Sequence, residues 1–240
     1  MTFVASRAIF FFMWLLHFLP LAVIAAIGNA VGSALFWLIP ERRKVTRINL
    51  HKCFPDMRPA DRERLARAHF RAFCRSFIER GLLWWASRAR IERLIRVEGL
   101  EHLRAVMETP GGSPVILFAP HFVGLDAGGA RLACEVDGVS MYANQKDAKF
   151  NELLLRGRSR FGNQRLVSRQ QGIRATIAAM RAGHPFYYLP DQDYGPRDTL
   201  FVPFFGVPAA TVPGLGRLAK VAGAKVLPCV TRLLPEGYVL

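Results

Sequence analysis

Acidic residues are scarce in this 240-residue chain: 18 Asp and Glu stand against 33 Lys and Arg, a formal net charge of +15. The imbalance points away from basic partners and towards anionic ones, namely nucleic acid, phospholipid head groups, phosphorylated substrates or an acidic carrier protein. Cysteine is sparse as well. Cys53, Cys74, Cys134 and Cys229 are scattered, with no Cys-x-x-Cys pair and no histidine at metal spacing. A disulfide framework is therefore not expected, and the four read as free thiols in a reducing compartment. Internal repeats and low-complexity segments are absent. From Ala8 to Pro40 there is no Asp, Glu, Lys or Arg at all.

That charge-free stretch decides the expected location. Ala8–Ile27 is about as long as a bilayer-spanning helix requires, with His17 and Pro20 as mild interruptions. Gly28 and Asn29 are expected to end the run, and Ala30–Ile39 is too short to span again. A cleaved signal peptide would need a charged start and a small-residue cleavage site, but Arg7 is the single early charge. A buried core helix is the other reading. An all-round apolar surface carrying Phe10, Phe11, Phe12, Trp14, Phe36 and Trp37 suits lipid better. Glu41-Arg42-Arg43-Lys44, Arg47 and Lys52 follow, a cluster that favours the cytoplasmic side and anionic head groups. Residues 1–40 thus read as a membrane anchor, 41–98 as a basic amphipathic helical segment, and 99–240 as the catalytic region.

Pro59 and Asp61 open a helix in which Phe70, Phe73, Phe77 and Trp84 recur at helical spacing among arginines. Its aromatic stripe reads as core packing, or else as a surface that dips into the membrane interface. Past Gly99 the pattern changes to short apolar runs alternating with helical ones. Strands are expected at Val115–Ala119, Val139–Ala143, Phe186–Leu189 and Lys225–Val230. Helices are expected at Leu125–Cys134, Lys146–Arg158, Gly172–Arg181 and Gly214–Val221. The alternation predicts an α/β fold with a largely parallel sheet flanked by helices, behind an N-terminal transmembrane or membrane-anchoring helix. The closing Tyr238-Val239-Leu240 reads as the start of a strand, as in a chain with its C-terminal end truncated.

Four constellations carry chemistry. The first is His121-Phe122-Val123-Gly124-Leu125-Asp126, directly after a strand and Pro120. Inside one helix, His and Asp would stand about 140° apart. With His121 in the preceding turn and Asp126 in the first helical turns, the carboxylate can hold one imidazole nitrogen and leave the other as a base. No serine or cysteine adjoins it, so the nucleophile would be an alcohol on a second substrate attacking an activated acyl group. The second is Pro190-Asp191-Gln192-Asp193-Tyr194-Gly195, also just past a strand, where α/β folds bind ligands. It reads as a binding turn, a plain β-turn or helix cap, or an Asp-x-Asp metal site that two carboxylates specify poorly. The third, Arg156-Gly157-Arg158-Ser159-Arg160-Phe161-Gly162-Asn163 with Arg165 and Arg169 beyond, suits phosphate or is a solvated basic helix end. Without interleaved aromatic residues it does not suit nucleic acid. The fourth, Thr199 to Gly206, followed by Ala209-Ala210-Thr211, is unusually aromatic for a loop. Its Phe201, Phe204 and Phe205 could line an acyl-chain slot or fill a core.

In this order, together with Arg42-Arg43 and Asn49-Leu50-His51-Lys52-Cys53-Phe54-Pro55 after the anchor, these segments resemble the late acyltransferases of lipid A biosynthesis, the lauroyl and myristoyl transferase family of Gram-negative bacteria. The resemblance runs from the anchor to residue 240. It implies an acyl thioester on acyl carrier protein as donor and a phosphorylated Kdo–disaccharide lipid precursor as acceptor, at the cytoplasmic face of the inner membrane. It implies no nucleic acid partner, no cofactor and no metal. His121 and Asp126 match the family's catalytic pair, while Arg158 and Asp191 match functional residues. Arg160 and Asp193 join them as expected substrate-binding groups. A glycerophospholipid acyltransferase shares His-x-x-x-x-Asp but typically carries a downstream Phe-Pro-Glu-Gly-Thr-Arg motif that is absent here. A metal-dependent glycosyltransferase using Asp191 and Asp193, and a non-catalytic membrane-binding protein, are the remaining alternatives.

Overall fold

The computed structural model describes residues 3–109, 112–192, 195 and 199–240. Residues 3–85 build a helical layer of α1 (Phe3–Leu16), α2 (Leu21–Leu38), α3 (Pro40–Cys53) and α4 (Pro59–Trp85), and a short α5 (Arg88–Leu94) follows. The apolar run is not one helix. It breaks at Pro20, which caps α2, because proline lacks the N–H that an interior helical position donates and its ring crowds the preceding turn. Gly28 and Asn29, expected to end a helix, lie inside α2. The reason is packing. A Cβ at Gly28 would stand 2.5 Å from the Arg75 Cα, and one at Gly32 would stand 2.5 Å from the Phe70 carbonyl oxygen. The Gly-x-x-x-Gly face lets α2 lie directly on the α4 backbone. α2 is long and apolar enough to cross a membrane by length and composition, and α3 continues from it after Pro40.

The second layer is a five-stranded sheet in the order β4-β3-β5-β2-β8, comprising β2 (Val115–Phe118), β3 (Val139–Tyr142), β4 (Arg165–Ser168), β5 (Phe186–Tyr188) and β8 (Lys225–Pro228). Every pairing in it is parallel. Alternation sorts the two faces. Ile116, Val139, Val167 and Phe186 pack against α9 (Ile173–Arg181) and α10 (Gly214–Ala222). Val115, Leu117 and Tyr187 face the other way, towards α6 (Leu100–Met107) and α7 (Leu125–Leu132). The helix α8 (Ala148–Arg158) stands beside α7 and α4.

A small sheet ties the layers together. β1 (Ile95–Arg96) pairs in parallel with β10 (Gly237–Val239), which pairs antiparallel with β9 (Arg232–Leu234). Tyr238 of β10 donates its hydroxyl hydrogen bond to buried Glu79 of α4, which Arg75 also holds at 2.7 Å. The aromatic segment past β5 is no loop. It forms a two-stranded ribbon, β6 (Leu200–Phe204) and β7 (Val207–Thr211), that pairs only with itself.

Candidate active site

Two neighbouring parallel strands deliver the central pair. In the register of β2 and β5, Phe118 lies opposite Tyr188, and Ala119 N–H still donates to the Tyr188 carbonyl at 2.8 Å. Each strand then runs through one more apolar residue and a proline: Phe118-Ala119-Pro120-His121 beside Tyr188-Leu189-Pro190-Asp191. Proline carries no N–H to continue the ladder, so both chains leave the sheet at the same level and positions 121 and 191 stand side by side.

Asp191 grips His121 twice. Its Oδ2 accepts from the His121 backbone N–H at 2.7 Å, and its Oδ1 lies 2.6 Å from the ring Nδ1. With a carboxylate at Nδ1, the neutral ring carries its proton there and presents Nε2 as the acceptor. The Gln192 amide nitrogen lies 3.1 Å from that Nε2 and donates to it. The imidazole is about one-third exposed, open enough for a substrate to reach.

Asp126 is engaged elsewhere. It sits in the first turn of α7, where its Oδ2 accepts from Arg80 Nε of α4 at 2.8 Å and its Oδ1 from Arg158 Nη2 of α8 at 3.3 Å. Burial alone would push its carboxyl up, but the Arg80 and Arg158 guanidiniums outweigh it and hold the group below the usual carboxylate range. The structure thus pairs His121 with Asp191 and Arg158 with Asp126, where sequence spacing paired His121 with Asp126. His121 lies in the turn ahead of α7, but Asp126 is taken by the two guanidiniums, while sheet register brings 121 and 191 together.

All of these groups except Arg80 and Asp191 line one cavity of about 420 Å³. It opens at His121 and Gln192 and continues between the β3–β5 face of the sheet and helices α7 and α8. Leu125, Leu132, Met141, Leu154 and Tyr187 line its sides, and Gly138, Gln164 and Pro185 lie at its far end. Along β3, Val139 to Ala143 gives it a length of about 13 Å at roughly 3.3 Å per residue. Trp84 closes one wall, pressed so tightly on Gly157 that a Cβ there would meet its ring at 2.2 Å.

The remaining expected residues fall outside this slot. Arg160 donates to the Leu83 carbonyl at 2.8 Å and to the Ala86 carbonyl, clasping the end of α4. Phe201, Phe204 and Phe205 stand on the exposed ribbon and do not line the slot. Asp193 lies outside the described residues. Arg169, from the third constellation, and Gln192, from the second, also line the slot. Among the described residues, no three His, Cys, Asp or Glu gather as a metal site. Cys229, whose N–H bonds the Phe118 carbonyl at 2.9 Å, is kept a thiol by burial, which pushes it up to about 11. It is therefore no nucleophile at neutral pH.

The family model described as "Bacterial lipid A biosynthesis acyltransferase" matches residues 3–240. The chain is 32% identical over 226 residues to a lipid A biosynthesis lauroyltransferase of Escherichia coli K12, covering 94% of this chain and 72% of that protein. It is 30% identical over 228 residues to a palmitoleoyltransferase of the same strain, with the same coverage. A myristoyltransferase of that strain is 32% identical over 207 residues, covering 86% of this chain and 62% of the relative.

Proposed function

Because this chain belongs to the bacterial lipid A biosynthesis acyltransferase family, we propose that it moves a fatty acyl group from acyl carrier protein to a hydroxyl of a phosphorylated, Kdo-linked lipid A precursor. The observation that carries this reading is the His121–Asp191 contact of 2.6 Å at the mouth of the slot. The acyl chain lies in the slot with its thioester carbonyl at the mouth. His121 Nε2, freed from Gln192, takes the proton of the acceptor hydroxyl as that oxygen attacks the carbonyl carbon. The C–S bond then breaks, and the imidazolium returns the proton to the departing thiolate. Asp191 holds the ring in the required tautomer and stabilises its charged form. The start of α7, past Gly124, would offer the developing oxyanion the partial positive charge of a helix N-terminus.

Asp126 has a different part in this reading. Bound between Arg80 and Arg158, it fixes Arg158 at the slot, where the guanidinium can meet a phosphate of the acceptor or of the carrier's prosthetic arm. Both carboxylates then matter, one for the base and one for the cation. The length and apolarity of α2, followed by α3 with Arg42, Arg43, Lys44, Arg47 and Lys52, support an inner-membrane anchor with the catalytic region on the cytoplasmic side. Mass spectrometry of lipid A from cells with and without the protein tests the reading. A difference of one acyl group is expected, and identical lipid A profiles would overturn it.

A further inference from the structure

The ribbon β6–β7 is built unlike the rest of the molecule. From Thr199 to Gly216 there is no charged residue. Five large apolar side chains, Leu200, Phe201, Val202, Phe204 and Phe205, are exposed on it, Phe201 at 71%. Among the described residues the ribbon has no third strand, and two strands alone bury too little to justify such a surface by their own packing. Its tip is costly as well. Phe205 has φ 51 and Gly206 φ 75, the positive-φ pair of a tight hairpin turn, in which Asn or Asp is the residue favoured at the first position. Phe205 is the one non-glycine residue with positive φ among the described residues. A bulky ring held in that conformation at an exposed tip indicates that the ring has work to do there.

We propose that this ribbon is a second membrane contact, inserting its phenylalanines into the acyl region of an anionic leaflet beside the slot mouth. Three observations select lipid over a protein partner. Each edge of the ribbon carries a proline, Pro203 opposite Pro208, so neither edge offers the N–H that an added protein strand would pair with there. The same lack leaves fewer backbone donors unsatisfied in hydrocarbon. The tip also reaches the helical layer at its basic end. Phe205 packs on Phe54, ring centroids 5.0 Å apart, and Phe54 caps α3, which carries five Lys and Arg against the single Glu41. Phenylalanines flanked by exposed cations match an anionic leaflet. The base of the ribbon leads back to the site, because Asp191 and Gln192 precede it and Val212, just after β7, lines the slot. The contact would therefore set the mouth at the depth where a lipid acceptor resides, a role that rests on the function proposed above.

The test uses the full chain on phosphatidylethanolamine–phosphatidylglycerol vesicles. In Phe204→Trp, the emission added to that of Trp14, Trp37, Trp84 and Trp85 should be blue-shifted and quenched by lipids brominated along their acyl chains. Phe201→Ser should lower vesicle affinity about tenfold with an unchanged melting temperature, since Phe201 is exposed. An added emission typical of water on vesicle-bound protein would overturn the proposal. So would a blue-shifted emission insensitive to bromine, the sign of a protein cover from a second copy or another segment. Acyl transfer by the unmodified chain is measured alongside. Absent transfer with a quenched ribbon would sink the functional reading and leave the membrane contact standing, whereas transfer with an unquenched ribbon would do the reverse.

Discussion

His121 draws its chemistry from a residue 70 positions away, and the two carboxylates around the slot can be separated by experiment. His121→Ala should remove acyl transfer while leaving membrane association intact. Asp191→Asn keeps the shape but takes away the charge that holds the ring, so turnover should fall by roughly 10²–10⁴. Near-normal turnover in either variant would break the assignment. Asp126→Asn acts on stability too, because it strips the charge partner from Arg80 and Arg158, at a cost of the order of 2 kcal/mol. Its pH signature follows from its lowered ionisation. A depressed folded-state value contributes stability that is complete above the unfolded value of about 3.9 and disappears as pH falls through the lower folded one. Urea unfolding between pH 5 and the acid limit should therefore show a steeper loss in the parent than in Asp126→Asn. Both site segments were readable in the sequence as post-strand turns. Their pairing was not, because nothing local states which strands are neighbours. The matching Ala119-Pro120-His121 and Leu189-Pro190-Asp191 endings were the available clue.

At the scale of elements, strand and helix positions past Gly99 follow the hydrophobic pattern closely: β2, β3, β5, β8 and the helices α7, α8 and α9 fall within the expected segments, and α10 runs one residue past its own. β4 (Arg165–Ser168) did not show itself, because its ends are charged or polar and it lies at the sheet edge. The ribbon was equally hidden, its two prolines reading as loop. In the helical layer the chain breaks at Pro20 and not at Gly28-Asn29, because close approach to α4 requires glycine inside α2. Gly28→Leu should accordingly push α2 off Arg75 and destabilise the fold by about 1–3 kcal/mol, read as a lowered melting temperature. An unchanged melting temperature would show that α2 does not depend on that contact. The α7 glycines can also be used to test the slot. A Cβ at Gly129 has ordinary contact with Tyr187 at 3.6 Å, so Gly129→Leu fits the fold while extending into the cavity. Competition between acyl donors of different length should shift towards shorter chains. No change in preference would mean that the acyl chain lies elsewhere.

For the molecule as a whole, net charge predicts an anionic partner, and the charge-free N-terminal run predicts a lipid environment, which the length and apolarity of α2 allow. Neither could reveal that the most apolar helix lies along an arginine-rich one, with Arg67 stacked 5.3 Å from the Phe36 ring. Vesicle binding should weaken steadily as salt is raised, since exposed cations on α3 and α4 are screened within about 10 Å at 0.1 M. Salt-independent binding would assign association to apolar insertion alone.

The order β4-β3-β5-β2-β8 places β5 between two strands that leave the ribosome before it. Until β5 slides into that gap, His121 lacks the partner for its backbone N–H as well as the partner for its ring, and the slot lacks one wall. If His121 is the base proposed above, the site becomes competent only once β5 is in place, and a half-assembled chain has no oriented base to turn loose on nearby lipids.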